Sequence, residues 1–309
     1  MCFKATNTPE LSESGIMKIS TNKRRISELT LEELFSKTLT DTSCIYIDKG
    51  REVWVATEIC AQYLESTVDS IVVRDDDGKP IGIVGGYDLL NHLRKNPTRD
   101  FQYKTRVEEI MFKDFPQVEK KTKLKDLIEK WKNTRRAFAI IPSEFDNYSI
   151  SARKMLEVGM KCKSDITVSS MPKKKIVTFH PDDSLGKIID LMFEHKTRKL
   201  LLENSNQFIS DRLLLHEISR IIKFQKDIEY FLDVPASLLK LEYVKVITED
   251  LKFDHLCTMM EKMEHPYVIY KDNSISPWDA CLTLLSEDLT EPLRSEYRKK
   301  CPHCGKDID

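Results

Sequence analysis

Apolar positions recur along the chain in one order: an amphipathic helix, an apolar strand, a tight turn, a second short strand and a further helix. Leu124, Leu127, Ile128 and Trp131 fall at i, i+3, i+4 and i+7, which predicts a helix buried along one stripe. Residues 137–141 then predict a strand, 142–147 a turn, 148–151 a second strand and 152–158 a helix. The order returns with Leu185, Ile188, Ile189 and Met192, followed by strands over 199–203 and 207–210 and a helix carrying Leu214, Ile218 and Ile221. It returns again with Phe253, Leu256, Met260 and Met263, strands over 267–270 and 274–276, and a helix running through Leu285. An earlier copy diverges at its start but ends plainly in a strand over 71–73, a turn over 74–78, a strand over 80–84 and a helix over 87–93. Its Asp77-Gly78 pair is a turn signal, because glycine tolerates the positive φ that tight turns need.

The second strand of each copy ends at Gly85, Ser151, Ser210 and Ser276, in steps of 66, 59 and 66 residues. Copies one and three, and copies two and four, therefore stand 125 residues apart. Such spacing predicts an α+β protein of four tandem βαββα units grouped as two pairs.

Composition narrows the function classes. With 49 basic and 50 acidic residues among 309, the chain has no overall field to draw nucleic acid or acidic lipid, although a local basic pocket remains compatible with it. No run approaches the roughly 18 apolar residues of a membrane span. Met1 to Gly15 is polar, without the apolar centre of a signal peptide, so a cytoplasmic location is expected. Cys2, Cys44, Cys60, Cys162, Cys257 and Cys281 are scattered, mostly in apolar runs, and read as small buried hydrophobes rather than disulfide partners. No phosphate-binding glycine loop, His-Glu-x-x-His or Gly-x-Ser-x-Gly is present, the nine glycines are few for such loops, and the seven histidines are dispersed. These features predict a protein that is not an enzyme.

Cys301-Pro302-His303-Cys304-Gly305 forms a half-site for zinc, with Cys301 and Cys304 as candidate ligands. A complete structural site needs four ligands, and no second Cys-x-x-Cys occurs. His303, a distant cysteine or the same tail of a second chain would complete it; a redox pair or an unstructured tail are the other readings.

Residues 76–90 (Asp-Asp-Gly-Lys-Pro-Ile-Gly-Ile-Val-Gly-Gly-Tyr-Asp-Leu-Leu) resemble the closing signature of a CBS domain, the module named after cystathionine β-synthase. Val107 to Met111 and Pro181 to Leu185 resemble other stretches of the same module. Four such motifs resemble the γ subunit of AMP-activated protein kinase in architecture. The resemblance implies two Bateman modules with internal pseudo-twofold symmetry: a tail at 1–17, motifs at 18–98, 99–161, 162–225 and 226–290, and a charged linker with the Cys-x-x-Cys tail at 291–309. It further implies a non-catalytic regulator that senses AMP, ADP, ATP or S-adenosylmethionine in clefts between paired motifs.

The family signature places Ser or Thr three residues before Asp at each site. A hydroxyl at the strand end and a carboxylate in the first helical turn face the same cleft, where a ribose diol can donate to the carboxylate and the helix N-terminus favours a phosphate. Copy four keeps the pair as Ser276 and Asp279, an arrangement that also fits a plain helix cap. Copy one keeps Asp88 but has Gly85; copy two keeps Ser151 but has Lys154; copy three keeps Ser210 but has Leu213. The resemblance makes Arg135, Arg136, Arg198, Lys199 and His265, each just before a central strand, phosphate partners, and Thr178 a further polar contact. Lys154 is expected to be available to a phosphate. The competing expectation is a ligand-free interaction scaffold, or a transcription-associated adaptor working through the zinc-like tail. Either reading brings a protein partner or a homodimer, with no membrane, and the balanced charge disfavours nucleic acid.

Overall fold

The computed structural model describes residues 24–62, 69–144, 146–224 and 231–290, with two further short strands at 299–300 and 307–308. The expected tail at 1–17 and the candidate zinc ligands Cys301 and Cys304 lie outside the described residues.

After α1 (Leu31–Phe35), repeat 1 comprises β1 (Tyr46–Asp48), α2 (Val53–Gln62), β2 (Ser70–Arg74), β3 (Pro80–Gly85) and α3 (Gly86–Lys95), followed by α4 (Arg99–Lys104) and α5 (Val107–Ile110). Repeat 2 holds α6 (Leu124–Thr134), β4 (Phe138–Ile141), β5 (Tyr148–Ser151) and α7 (Leu156–Gly159). Repeat 3 follows β6 (Lys174–Lys175) and holds β7 (Thr178–Phe179), α8 (Leu185–Glu194), β8 (Lys199–Leu202), β9 (Gln207–Ser210) and α9 (Asp211–Phe224). Repeat 4 follows β10 (Glu242–Tyr243) and holds β11 (Lys245–Ile247), α10 (Phe253–Glu261), β12 (Val268–Tyr270), β13 (Asn273–Ile275) and α11 (Pro277–Thr283).

One pairing scheme runs through all four. A leading strand lies parallel to the strand after the helix, and that strand forms an antiparallel hairpin with the next: β1, β2 and β3; β7, β8 and β9; β11, β12 and β13. In repeat 2 the leading strand shrinks to a single parallel bridge between Gln117 and Ile140, beside the β4–β5 hairpin. The turn between β2 and β3 uses Gly78 at φ 79°, with the Asp75 side chain accepting from the N–H groups of Asp77 (3.1 Å) and Lys79 (2.8 Å).

Neighbouring repeats exchange edges reciprocally. β6, which precedes repeat 3, pairs with β13 of repeat 4, while β10, which precedes repeat 4, pairs with β9 of repeat 3. Ser43 bridges to Tyr148 and Phe112 to Ile83 in the same reciprocal sense between repeats 1 and 2. This is the twofold-like relation expected within each pair.

The pairs are then joined through helices. One apolar core packs Val53, Ala56 and Cys60 of α2 with Leu214, Ile218 and Ile221 of α9, linking repeats 1 and 3. A second packs Leu156 and Val158 of α7 with Phe253, Leu256 and Met260 of α10, linking repeats 2 and 4. Between the sheets of repeats 1 and 2 lie Val72, Ile83, Phe138 and Ile140, and between those of repeats 3 and 4 Phe208 meets Tyr267 at 5.4 Å. The four units therefore close on one another, 1 with 2 and 3 with 4 through sheets, 1 with 3 and 2 with 4 through helices.

Two local expectations change. Residues 152–155 form turns, and the helix there spans only Leu156–Gly159. Ile26, Leu31, Phe35 and Leu39 pack in the core of repeats 2 and 4 rather than on repeat 1, and the Ile26 N–H donates to the Leu289 carbonyl at 2.9 Å. Cys44, Cys60, Cys162, Cys257 and Cys281 are buried free thiols, as their apolar surroundings predicted, and burial pushes the Cys60 and Cys162 thiols up to about 12. No helix among the described residues is long and apolar enough to cross a membrane.

Candidate functional site

The strand-end residues Gly85, Ser151, Ser210 and Ser276 all line one central cavity of about 530 Å³, within the roughly 300–1,000 Å³ common for small-molecule sites. Its wall carries nine Lys or Arg and five Asp or Glu, an excess of four positive charges, in a chain whose net charge is −1. Such a concave basic surface concentrates anions.

Repeat 4 presents a buried carboxylate held by neutral donors. Pro277 starts α11, and Asp279 Oδ2 accepts from the Ser276 N–H at 2.8 Å and the Ser276 hydroxyl at 2.7 Å. Burial pushes the Asp279 carboxyl up from its ordinary value; the Ser276 hydroxyl and N–H, with Lys174 and Lys199, work against that rise. Lys199, at the start of β8, holds its ammonium 4.7 Å from the centre of the Tyr267 ring and makes no ion pair with a described residue. Burial brings this lysine down to about 8. His265 lies edge-on to Phe208 at 5.6 Å, and burial lowers its pKa.

Repeat 1 is organised differently. Asp88 Oδ2 accepts from the Gly85 N–H at 3.0 Å, while Oδ1 is paired with Arg136 of repeat 2. The Arg136 guanidinium lies 3.7 Å from the centre of the Phe112 ring and also donates to the Thr134 carbonyl at 3.2 Å. Arg198 is likewise engaged, donating to Asp211 at 2.6 Å and across the joint to Asp69 of repeat 1 at 2.8 Å. Burial acts to raise the Asp69 carboxyl, but Arg198 and Arg212 outweigh it and hold the group below its ordinary value. Asp211 presses on repeat 1 so closely that a Cβ on Gly86 would come 2.6 Å from its Oδ2.

The remaining expected residues divide. Ser151, Ser210 and Arg135 line the cavity; Arg135, with φ 56°, ends α6. The Ser210 hydroxyl accepts from the Leu213 N–H at 3.2 Å, and Leu213 is buried, so this position works as a helix cap. Lys154 is not available to a phosphate: it is buried away from the cavity, 2.6 Å from Glu157 and over the Phe35 ring. Thr178 is exposed and does not line the cavity, because the two-residue strand that carries it turns this side chain to solvent.

Sequence reading missed Asp69, Asp211, Arg153 and Lys174, which all line the cavity. Asp211 follows the strand-ending Ser210 directly and could have been found from that register. Asp69 stands before β2, in the divergent part of repeat 1, where no pattern marks it. Arg153 donates to the carbonyls of Met263 at 2.6 Å and Glu264 at 2.8 Å, joining repeat 2 to the end of α10.

The CBS domain family model matches residues 54–95 and 168–219, in repeats 1 and 3. Among solved structures, a protein of Methanocaldococcus jannaschii described as an archaeal homologue of γ-AMPK is similar over 82% of this chain and 99% of its own, with 13% identity and a TM-score of 0.66. An uncharacterised conserved protein of Pyrococcus horikoshii is similar over 81% of this chain and 99% of its own, with 14% identity and a TM-score of 0.48. A CBS-domain protein of Agrobacterium tumefaciens aligns with 42% of this chain and 93% of its own, with 17% identity and a TM-score of 0.35. No curated protein matches the sequence. The CBS domain model thus falls on repeats 1 and 3, two of four units that share one strand scheme, and the paired arrangement of the four is similar in fold to the Methanocaldococcus jannaschii protein.

Proposed function

We propose that this chain is a non-catalytic regulatory protein that binds an adenine nucleotide where repeats 3 and 4 meet, with the ribose diol on Asp279 and Ser276 and the phosphates toward Lys199 and Lys174. The observation that supports this reading is a carboxylate held by neutral donors and a lysine seated over an aromatic ring, neither of them in a close ion pair with a described residue, on the wall of one cavity with excess positive charge. A diol can donate to the carboxylate while a phosphate meets the ammonium, so one nucleotide satisfies both groups. The same excess charge favours AMP, ADP or ATP over S-adenosylmethionine, whose sulfonium is itself positive.

Regulation follows if the ligand binds one arrangement of the modules better than another, since only differential affinity shifts such an equilibrium. The regulated partner is a protein that reads that arrangement. The scaffold reading rests on the internal pairing of Asp88 with Arg136 and of Arg198 with Asp211 and Asp69, which leaves fewer open sites.

The test is a melting curve with each of AMP, ADP, ATP and S-adenosylmethionine at millimolar concentration. A nucleotide at a hundred times its Kd should add about 2.7 kcal/mol of stability, and Asp279→Ala should remove most of that gain. A melting temperature indifferent to all four ligands would overturn the nucleotide reading in favour of the scaffold.

A further inference from the structure

Repeats 1 and 4 carry the same device in two states. Gly85 and Asp88 stand 191 residues before Ser276 and Asp279, and in both repeats the strand-end N–H donates to the aspartate, at 3.0 Å and 2.8 Å. Beyond that the two diverge. Asp88 has its other oxygen on Arg136, whose guanidinium is seated over Phe112 and within 5.9 Å of the centre of the Tyr87 ring. Both side chains are nearly covered, 9% exposed for Asp88 and 14% for Arg136. Among the described residues no arginine pairs with Asp279: the arginine of the neighbouring repeat, Arg198, is held instead by Asp211 and Asp69.

We infer that Arg136 is a built-in plug that occupies the repeat 1 site in place of a ligand, so that the chain takes one nucleotide, at repeat 4. The inference rests on the nucleotide reading for the number of ligands, but the plug itself stands on the ion pair. A ribose entering repeat 1 would have to displace a guanidinium from a covered carboxylate. That would leave Arg136 buried and unpaired unless a phosphate met it in the same place, and an unpaired buried charge is strongly unfavourable. Gly85 makes the exchange harder still, since it offers no hydroxyl to the incoming ribose. Repeat 4 asks for no such exchange: its carboxylate is held by neutral donors, and its lysine lies over an aromatic ring.

Two measurements on the full chain test this. The first titrates AMP calorimetrically into wild type, Asp279→Asn, Arg136→Ala and the Arg136→Ala/Asp279→Asn double variant. The expected results are one equivalent for wild type, at least tenfold weaker binding for Asp279→Asn, and a second equivalent for Arg136→Ala that survives in the double variant. Two equivalents in wild type, or none added by Arg136→Ala, would overturn the plug. The second needs no ligand: the melting temperatures of Asp88→Asn, Arg136→Gln and their double variant. Losses that fail to add show that the pair forms, whereas strictly additive losses overturn it. A wild type that binds no AMP but shows non-additive melting losses would sink the nucleotide reading and leave the ion pair standing.

Discussion

Lys199 is where the chemistry of the cavity can be read at a single residue. In the unfolded chain a lysine titrates near about 10.4, and burial in the fold brings Lys199 to about 8. Between those values the unfolded chain binds more protons than the folded one, so this group's contribution to ligand-free stability rises with pH across that window. Binding runs the other way, because only the ammonium attracts a phosphate. The second ionisation of a phosphate ester lies near about 6 and is complete before this window opens. The affinity for AMP should therefore change little between about pH 7 and 7.5 and weaken through pH 8 to 9, by at most about tenfold per pH unit. Lys199→Arg should make the profile flat, since arginine stays charged throughout. A set of titrations between those pH values checks both statements, and an affinity that holds steady to pH 9 in wild type would remove Lys199 from the site.

At the scale of elements, the two glycines at the ends of helix-bearing segments make opposite predictions. Gly159 closes α7 against α10, and a Cβ there would run into Cys257 Sγ and come within 3.2 Å of Phe253 Cζ. Alanine gains about 1 kcal/mol of helix propensity over glycine, but overpacking costs about 1–3 kcal/mol, and here two buried neighbours would have to move. Gly159→Ala should lower the melting temperature by several degrees. Beyond its chain neighbours, Gly50 has no atom of the described residues within 4 Å of its Cβ position, and its φ is not positive, so Gly50→Ala should be neutral or raise stability by up to about 1 kcal/mol, by restricting the unfolded chain. Thermal unfolding of the two variants side by side checks the contrast. These elements also show what the sequence made legible. Helices such as Leu124–Thr134 and Leu185–Glu194, with the hairpins that follow, were readable because each buries one face, and a buried face imposes a period. The helix expected at 152–158 was overread because Met155 and Leu156 are buried in turns as well as in helix, and burial alone does not fix the backbone. The strand-end positions lining the cavity were readable for the same periodic reason. The ion pairs of Asp88 and Asp69 were not, since each joins two repeats and no local pattern records a partner 48 or 129 residues away.

For the whole molecule, the cores decide how it must fold. Neither large core belongs to one module: the first needs α2 from repeat 1 and α9 from repeat 3, the second α7 from repeat 2 and α10 from repeat 4. The N-terminal segment adds to this, since Ile26 and Leu31 pack with the second core and Arg25 bridges to Thr290 at the far end of the described fold. Splitting the chain after residue 161 would strip both cores at once, baring Val53, Ala56 and Cys60 on one helix and Leu156 and Val158 on another. Each fully buried side chain of this kind contributes about 1.5–3 kcal/mol, and the net stability of a domain is only about 5–15 kcal/mol, so losing several on each side removes most of the margin. Residues 24–161 alone should therefore dimerise through those helix faces or precipitate, whereas co-expression with residues 162–290 should recover a soluble one-to-one complex. The intact chain should unfold in one transition, with fluorescence and far-ultraviolet circular dichroism coincident. A monomeric, cooperatively folded 24–161 fragment, or two separated transitions in the full chain, would mean that each module is self-sufficient. The central cavity would then form where two finished modules meet, rather than being a product of the same packing that folds them.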